Sequence, residues 1–262
     1  MKRRSITAVA LTVAGSDSGG GAGIQADLKV FHAHSLFGTS AITCITAQNP
    51  SRVSAVQPLP PRLVAEQMDR IVEAFPVRAA KTGMLYDAAI IEAVADRFAR
   101  RRFARLVVDP VMVASSGAVL LKKDAIAALT MELFPLAAVV TPNLAEAEVL
   151  IGREVHTLDD LRQAARTLTE KFGVPFLVKG GHLRGATRAV DVLFDGKEYR
   201  EYGAMMVPKI KTHGTGCTFS AAIAANLALG HGLAGSVGRA KRFVTAAIRS
   251  AVAVGRYRAL RI

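Results

Sequence analysis

The chain has only two cysteines, Cys44 and Cys217, in 262 residues. They lie far apart, and no Cys-x-x-Cys pair exists for zinc or redox chemistry. A chain of this length can bury a large core without a disulfide, so a reduced, cytoplasmic setting is expected. No Gly-Lys-Ser or Gly-Lys-Thr occurs, which excludes a Walker A phosphate loop. No apolar run is long enough to cross a membrane. Helix-turn-helix, zinc-finger and RNA-binding signatures are also missing.

Acidic residues are the scarcer charge: 21 Asp and Glu against 34 Lys and Arg, for a formal net charge of +13. The excess gathers at Lys2-Arg3-Arg4, along Arg97 to Arg105 and from Arg239 to Arg261. The middle cluster lies on an amphipathic helical pattern and the last has few aromatics. Solvated helix faces, with no nucleic-acid partner, are the expected reading. Lys2-Arg3-Arg4 ahead of Ile6 to Ala14 imitates a secretory signal. The apolar run nevertheless flows straight into Gly15-Ser16-Asp17-Ser18-Gly19-Gly20-Gly21, as a buried first strand entering a glycine-rich loop does.

What is present reads as a folded α/β protein. Hydrophobic residues make up 51% and charged residues 21%, a globular balance. Strand patterns fall at 6–14, 40–47, 77–81, 106–108, 137–140 and 175–178. Helical patterns fall at 22–34, 60–75, 87–102, 122–134, 144–151 and 158–172, with alanine-rich ones at 215–229 and 234–253. Asp195-Gly196 between 190–194 and 199–202 signals a hairpin. The alternation predicts one domain over 1–262, a mostly parallel central sheet with helices on both faces.

In such sheets ligands bind beyond the carboxyl ends of the strands, and the unusual residues gather there. The run Gly15 to Gly23 lets backbone approach a ligand closely. It is not a dinucleotide fingerprint, because Gly19 and Gly21 would need a third glycine where Ile24 stands. Gly214, Thr215 and Gly216 open a long helix, whose free N–H groups suit an anion; an ordinary cap by Thr212 or Thr215 is the plainer alternative. Asp109 follows a strand, and Asn143 and Glu146 start a helix three residues apart. These oxygens suit Mg²⁺, while the Asn143/Glu146 spacing equally suits a capping box. Lys179, beside two glycines at a strand end, is placed to reach a phosphate as a point charge.

These segments together resemble one family. Ala14-Gly15-Ser16-Asp17-Ser18-Gly19-Gly20-Gly21-Ala22-Gly23-Ile24-Gln25-Ala26-Asp27 resembles the N-terminal signature of hydroxymethylpyrimidine/phosphomethylpyrimidine kinases of thiamine synthesis. Ala47-Gln48-Asn49, Lys81-Thr82-Gly83-Met84-Leu85, Asp109-Pro110-Val111-Met112-Val113-Ala114, Thr141-Pro142-Asn143-Leu144-Ala145-Glu146, Val178-Lys179-Gly180-Gly181-His182 and His213-Gly214-Thr215-Gly216-Cys217-Thr218 extend it in order. Ser18 and Phe219 depart from the pattern without touching a proposed role. The resemblance implies a ribokinase-like fold, ATP and Mg²⁺ as cofactors, a homodimer, and a pyrimidine pocket from Gly15, Asp27, Gln48, Met84 and Val111. The plain alternative for Met84 and Val111 is core packing.

Sugar kinases of the superfamily carry Asp at the position of Cys217, which favours the pyrimidine and pyridoxal side. Cys217 is expected to activate the substrate hydroxyl. A helix N-terminus lowers a thiol's pKa, so a useful thiolate fraction at neutral pH is expected. The implied reaction is phosphorylation of 4-amino-5-hydroxymethyl-2-methylpyrimidine and then of its monophosphate. A pyridoxal/pyridoxine kinase is the runner-up, and a non-catalytic nucleotide- or nucleic-acid-binding protein the alternative of another class.

Overall fold

The computed structural model describes residues 7–101, 105–112, 121, 124–181, 183, 187–207 and 213–262. The expectations placed on Lys2 to Arg4, Ile6, Arg102, Val113, Ala114, Lys122, His182 and Thr212 lie outside the described residues.

The chain runs through β1 (Val9–Asp17), α1 (Gly23–Ala33), β2 (Phe37–Asn49), β3 (Arg52–Pro58), α2 (Pro61–Ala74), β4 (Val77–Thr82), α3 (Ala88–Arg101) and β5 (Leu106–Val108). It continues through α4 (Ala125–Ala128), β6 (Val139–Val140), α5 (Leu144–Ile151), α6 (Leu158–Phe172), β7 (Phe176–Gly180), β8 (Arg188–Phe194) and β9 (Tyr199–Met205). It ends with α7 (Thr215–Ala228), α8 (Leu233–Arg249), β10 (Val252–Val254) and β11 (Tyr257–Ala259). The first nine strands form one sheet in the order β3-β2-β1-β4-β5-β6-β7-β8-β9. The six from β2 to β7 in that order are parallel, and β3, β8 and β9 add antiparallel edges.

Period-two side chains sort the core into two layers, because successive residues of a strand face opposite ways. Val108, Val140 and Val178 pack with Met68 of α2, Phe98 of α3 and Leu168 of α6. Val107, Val139 and Leu177 pack on the other face with Phe31 of α1, Ile223 of α7 and Val244 of α8. Both faces are covered, as a parallel sheet requires, and the sheet-with-helices expectation is met. α7 is buried from Thr218 to Ala228, and its run of alanines lets it lie close to its neighbours. Lys241 of α8 donates to Asp191 of β8 at 2.7 Å, tying the last long helix to the antiparallel edge.

Two local expectations are corrected, and one strand is added. The 122–134 helix breaks into α4, a wider turn over Leu129–Leu133 and a tight turn over Phe134–Leu136. Pro135 lacks the N–H that a continuing helix would use. The final helix stops at Arg249, four residues short of Ala253. There Val252 and Val254 pair with Ala259 and Tyr257 in a hairpin, whose β-branched alternation outweighs the alanines. Finally, Arg52–Pro58 is a strand that folds back on β2.

Candidate active site

All six parallel strands end on one edge, and the residues singled out above lie on that edge. β1 runs on through Asp17, so Gly15, Ser16 and Asp17 belong to the strand and the loop proper begins at Ser18. The β1–β2 register slips between Ala14 and Ser16. A Cβ on Gly15 would lie 2.7 Å from Cys44 Sγ and 3.5 Å from Met84 Sδ, so only glycine lets these groups close in. Cys44 and Met84, with Val56, Tyr86 and Val111 against them, form a small apolar cluster apart from both core layers. The structure thus brings Gly15, Met84 and Val111 together. Burial holds the Cys44 thiol protonated, pushed up to about 11.

Asp17 organises the loop that follows. Its carboxylate accepts N–H groups of Gly19 at 2.8 Å, Gly21 at 3.1 Å and Ala22 at 2.9 Å. Burial would raise its pKa, but the His213 ring and these amides outweigh it and hold Asp17 below the usual carboxylate value. His213 Nε2 lies 3.2 Å from Asp17 Oδ2 and 3.0 Å from Gln48 Nε2. The next residue, Gly214, caps α7 with φ +79°, and a Cβ there would sit 1.8 Å from the Gly21 carbonyl oxygen. Any other residue would push the glycine loop and the start of α7 apart. No side chain caps α7 at this residue, so its first turn with Thr215 and Gly216 faces the loop as an anion site would.

Asp27, expected in the pocket, forms an ion pair with Lys81. It is fully buried, accepting Lys81 Nζ at 2.9 and 3.1 Å and the Thr12 hydroxyl at 2.6 Å. Burial raises the Asp27 pKa despite these partners, while the charges of Asp27 and Asp109 keep Lys81 protonated against its own burial. Cys217, in the first turn of α7, feels Lys81, Asp27 and Asp109 and receives the Gly23 N–H. The expected low thiol pKa is corrected here. Although the residue is partly exposed, its sulfur sits among protein groups, and burial pushes it up to about 11 with Lys81 only partly opposing. The helix terminus does not offset that loss of water.

On the other side of the α7 start, Lys179 donates to Asp109 Oδ1 at 2.8 Å. A Cβ on Gly216 would lie 3.4 Å from Lys179 Nζ, so the ammonium sits over the first turn of α7. Asp109 also accepts the hydroxyls of Ser220 at 3.0 Å and Thr141 at 3.3 Å. Burial works against its charge, but Lys179 and Lys81 hold it below the usual range. Burial and the Asp109 charge push Glu146 up to about 7 in spite of Lys179. Asn143 and Glu146 form a complete capping box: Glu146 N–H donates to Asn143 Oδ1 at 3.0 Å, and Asn143 N–H donates to Glu146 Oε2 at 2.9 Å. The capping alternative is therefore realised, and Asn143 Oδ1 is committed to it. Among the described residues no group of three or more His, Cys, Asp or Glu side chains is arranged to hold a metal. Two carboxylates suit Mg²⁺, which is held by one or two such groups together with substrate phosphates; the high Glu146 pKa fits a place built for an added cation.

Sequence reasoning assigned no role to Asp17, Lys81, Ser220 or His213. An Asp closing a strand before a glycine run is an Asx-turn signal and could have been read. Lys81 sits in an apolar strand, where an unpaired lysine is rare, but its partner Asp27 is 54 residues away.

Known proteins similar to this chain are kinases and thiamine-biosynthesis proteins. A family model described as phosphomethylpyrimidine kinase matches residues 17–260. The hydroxymethylpyrimidine/phosphomethylpyrimidine kinase of Rhizobium meliloti is 49% identical, over 94% of this chain and 92% of that protein. The thiamine biosynthesis bifunctional protein ThiED of Geobacter sulfurreducens is 48% identical over 94% of this chain, which spans only 50% of that longer protein. Among solved structures, an ADP complex of Bacillus subtilis pyridoxal kinase superposes with a TM-score of 0.90 at 38% identity, covering 98% of this chain and 97% of the other. A phosphomethylpyrimidine kinase from Clostridium difficile gives 0.81 at 40% identity, covering 92% and 100%.

Proposed function

The chain belongs to the phosphomethylpyrimidine kinase family, and from that premise we propose that it transfers the γ-phosphoryl of ATP to 4-amino-5-hydroxymethyl-2-methylpyrimidine and then to the monophosphate, as a step of thiamine biosynthesis. The observation that carries the reading is Lys179, held by Asp109 at 2.8 Å and poised over Gly216 at the uncapped start of α7. A cation and a helix terminus converging on one point suit the spread negative charge of a transferring phosphoryl group. The apolar cluster around Met84 beside Gly15 suits the face of a flat heteroaromatic ring.

Asp109 and Glu146 are the residues that would hold Mg²⁺, which, when bound, neutralises phosphate charge. Lys179 orients the phosphoryl and stabilises its charge. Gly214, Thr215 and Gly216 line the place it occupies. Cys217 faces the substrate hydroxyl, and its acidity is set by Lys81 against burial and the Asp27 and Asp109 charges. The transition state is loose, so positioning contributes more than the base. Cys217→Ala is expected to lower kcat by about 10²–10⁴, the range of a general base. Near-normal kcat in that variant would leave Cys217 as a packing residue.

A second reading, phosphorylation of pyridoxal, is favoured by the close superposition on a pyridoxal kinase. Turnover of ATP with the aminopyrimidine alcohol, its monophosphate and pyridoxal decides between them. Mono- and diphosphate products from the pyrimidine support the first reading, product from pyridoxal alone the second, and no product from any alcohol overturns both. No helix of the described residues is long and apolar enough to cross a membrane. The family resemblance leads us to infer a cytoplasmic homodimer, and sedimentation tests the dimer.

A further inference from the structure

We propose that His213 is a positioning residue that fixes the order in which the Gln48 carboxamide offers its N–H and C=O to the substrate, and so sets discrimination among heteroaromatic alcohols. The inference rests on the reading of Gln48 as a contact of the pyrimidine edge.

Three neighbours determine the arrangement. His213 Nε2 is 3.2 Å from Asp17 Oδ2 and 3.0 Å from one end of the Gln48 amide. A ring nitrogen carries either a proton or a lone pair, never both. Asp17 is an ionised carboxylate that accepts from three backbone amides, so it can only accept from His213 as well. Nε2 therefore bears the proton and donates. A donating Nε2 calls for the carbonyl end of Gln48, not its NH₂ end.

The opposite end of the amide gives the same answer independently. Gln48 lies 3.2 Å from the Thr46 hydroxyl, which lies 2.9 Å from the Ser16 carbonyl oxygen. A hydroxyl has one proton, and the Ser16 carbonyl can only accept it. What Thr46 then offers Gln48 is a lone pair, which calls for the NH₂ end. His213 Nδ1 is buried with no partner among the described residues. With the proton on Nε2 that orphan is an acceptor, and buried orphan donors are the rarer and costlier case. Amide ends are assigned from such networks and not from shape. All three neighbours agree on carbonyl toward His213 and NH₂ toward Thr46.

Gln48 then presents a donor and an acceptor in one fixed order. An aminopyrimidine edge has an amino donor beside a ring-nitrogen acceptor and matches one order only. Its 4-oxo analogue has an acceptor beside a ring N–H and matches the reverse. Without the His213 anchor only Thr46 holds the amide, and its hydroxyl can turn its proton from the Ser16 carbonyl to Gln48, so the amide can turn over and serve both.

The test measures kcat/KM for the 4-amino and 4-oxo alcohols in the wild type, His213→Leu, His213→Gln, Gln48→Leu and the Gln48→Leu/His213→Leu double variant. The expected result is a preference for the amino compound that falls about tenfold in His213→Leu, mainly through KM, a loss of a single well-placed polar contact. His213→Gln, which restores an N–H donor, is expected to regain most of it. In the Gln48→Leu background, removing His213 should change the ratio no further. A ratio unchanged in His213→Leu, or lowered there and not regained in His213→Gln, overturns the inference. A ratio unchanged in Gln48→Leu removes Gln48 from the pocket and this inference with it, while leaving the kinase reading intact. No turnover of either alcohol by the wild type overturns both.

Discussion

Two buried lysine–carboxylate groups flank the start of α7, and they are built differently. Lys81 and Asp27 form one cation with one anion, both side chains wholly buried, with Thr12 filling the remaining carboxylate position. Lys179 serves two carboxylates, Asp109 and Glu146, and keeps 12% of its side chain exposed at the strand-end edge. The first group is balanced and sealed. The second is short of positive charge and meets the strand-end edge through Lys179, and burial together with the Asp109 charge lets Glu146 hold its proton up to about 7. A sealed pair with balanced charge steadies the fold. An unbalanced, open one serves chemistry, because an incoming cation or phosphate changes its state.

The largest expected effect breaks the sealed pair. Lys81→Met leaves Asp27 charged and buried without its partner, which costs about 3–5 kcal/mol of stability. Adding Asp27→Asn should recover a large part of that in denaturant unfolding. If Lys81→Met instead kept its stability and lost only kcat, Lys81 would belong with the open group. The open group should show the converse. Lys179→Met is expected to lower kcat by about 10²–10³, as loss of one preorganised donor to transition-state charge does. Its stability should fall by less than that of Lys81→Met, since Asp109 keeps the Ser220 and Thr141 hydroxyls.

That contrast also explains what could be read from the sequence. The open group was legible because Asp109, Glu146 and Lys179 each follow or adjoin a strand end, where ligands collect. So were the parallel sheet and most helices, from alternating periodicities. The sealed pair was not, because nothing local shows that a lysine on β4 takes both Asp27 oxygens. The acidity of Cys217 was misjudged for a similar reason. Its helix terminus was visible, but the burial that pushes its thiol up to about 11 comes from packing. The π-like turn before Pro135 and the C-terminal hairpin were missed because alanine-rich runs read as helix regardless of what packs on them.

The next effect sharpens the contrast through pH. Glu146 is raised from 4.5 to about 7, so the folded state binds its proton more tightly than the unfolded chain does. Its contribution to stability is fully present below about 4.5 and is lost as pH rises through about 7. At about 1.4 kcal/mol per pKa unit, the loss between those limits is at most about 3.5 kcal/mol. Glu146→Gln cannot titrate, so its stability should fall less steeply over the same window. Unfolding of both proteins from pH 4.5 to 8 gives the comparison in slopes, independent of any constant difference from the altered cap. Parallel slopes would place the Glu146 pKa near its ordinary value and remove the charge imbalance from the open group. Mg²⁺ with ATP at pH 8 should stabilise the wild type more than Glu146→Gln, because the cation takes the place of the proton.

The smallest effect asks whether Asn143 belongs to the open group at all. Its side-chain oxygen accepts the Glu146 N–H at 3.0 Å, and Glu146 returns a bond to the Asn143 N–H at 2.9 Å. Glu146 keeps a second carboxylate oxygen for a cation, whereas Asn143 has a single neutral oxygen already in the cap, so Asn143 should act on the helix and not on the metal. Asn143→Ala is then expected to cost about 1 kcal/mol of stability, the usual value of an N-cap. Asn143→Ser, which keeps a short hydroxyl acceptor at the same place, should regain most of that. Neither should change the Mg²⁺ concentration giving half-maximal activity. The cap also orients Glu146, so a small drop in kcat shared by Ala and relieved by Ser fits the same account. A rise in the Mg²⁺ requirement of more than about threefold in Asn143→Ala that Ser does not relieve would make Asn143 a ligand. The open group would then hold its cation with three oxygen donors, and the cap would be its resting arrangement.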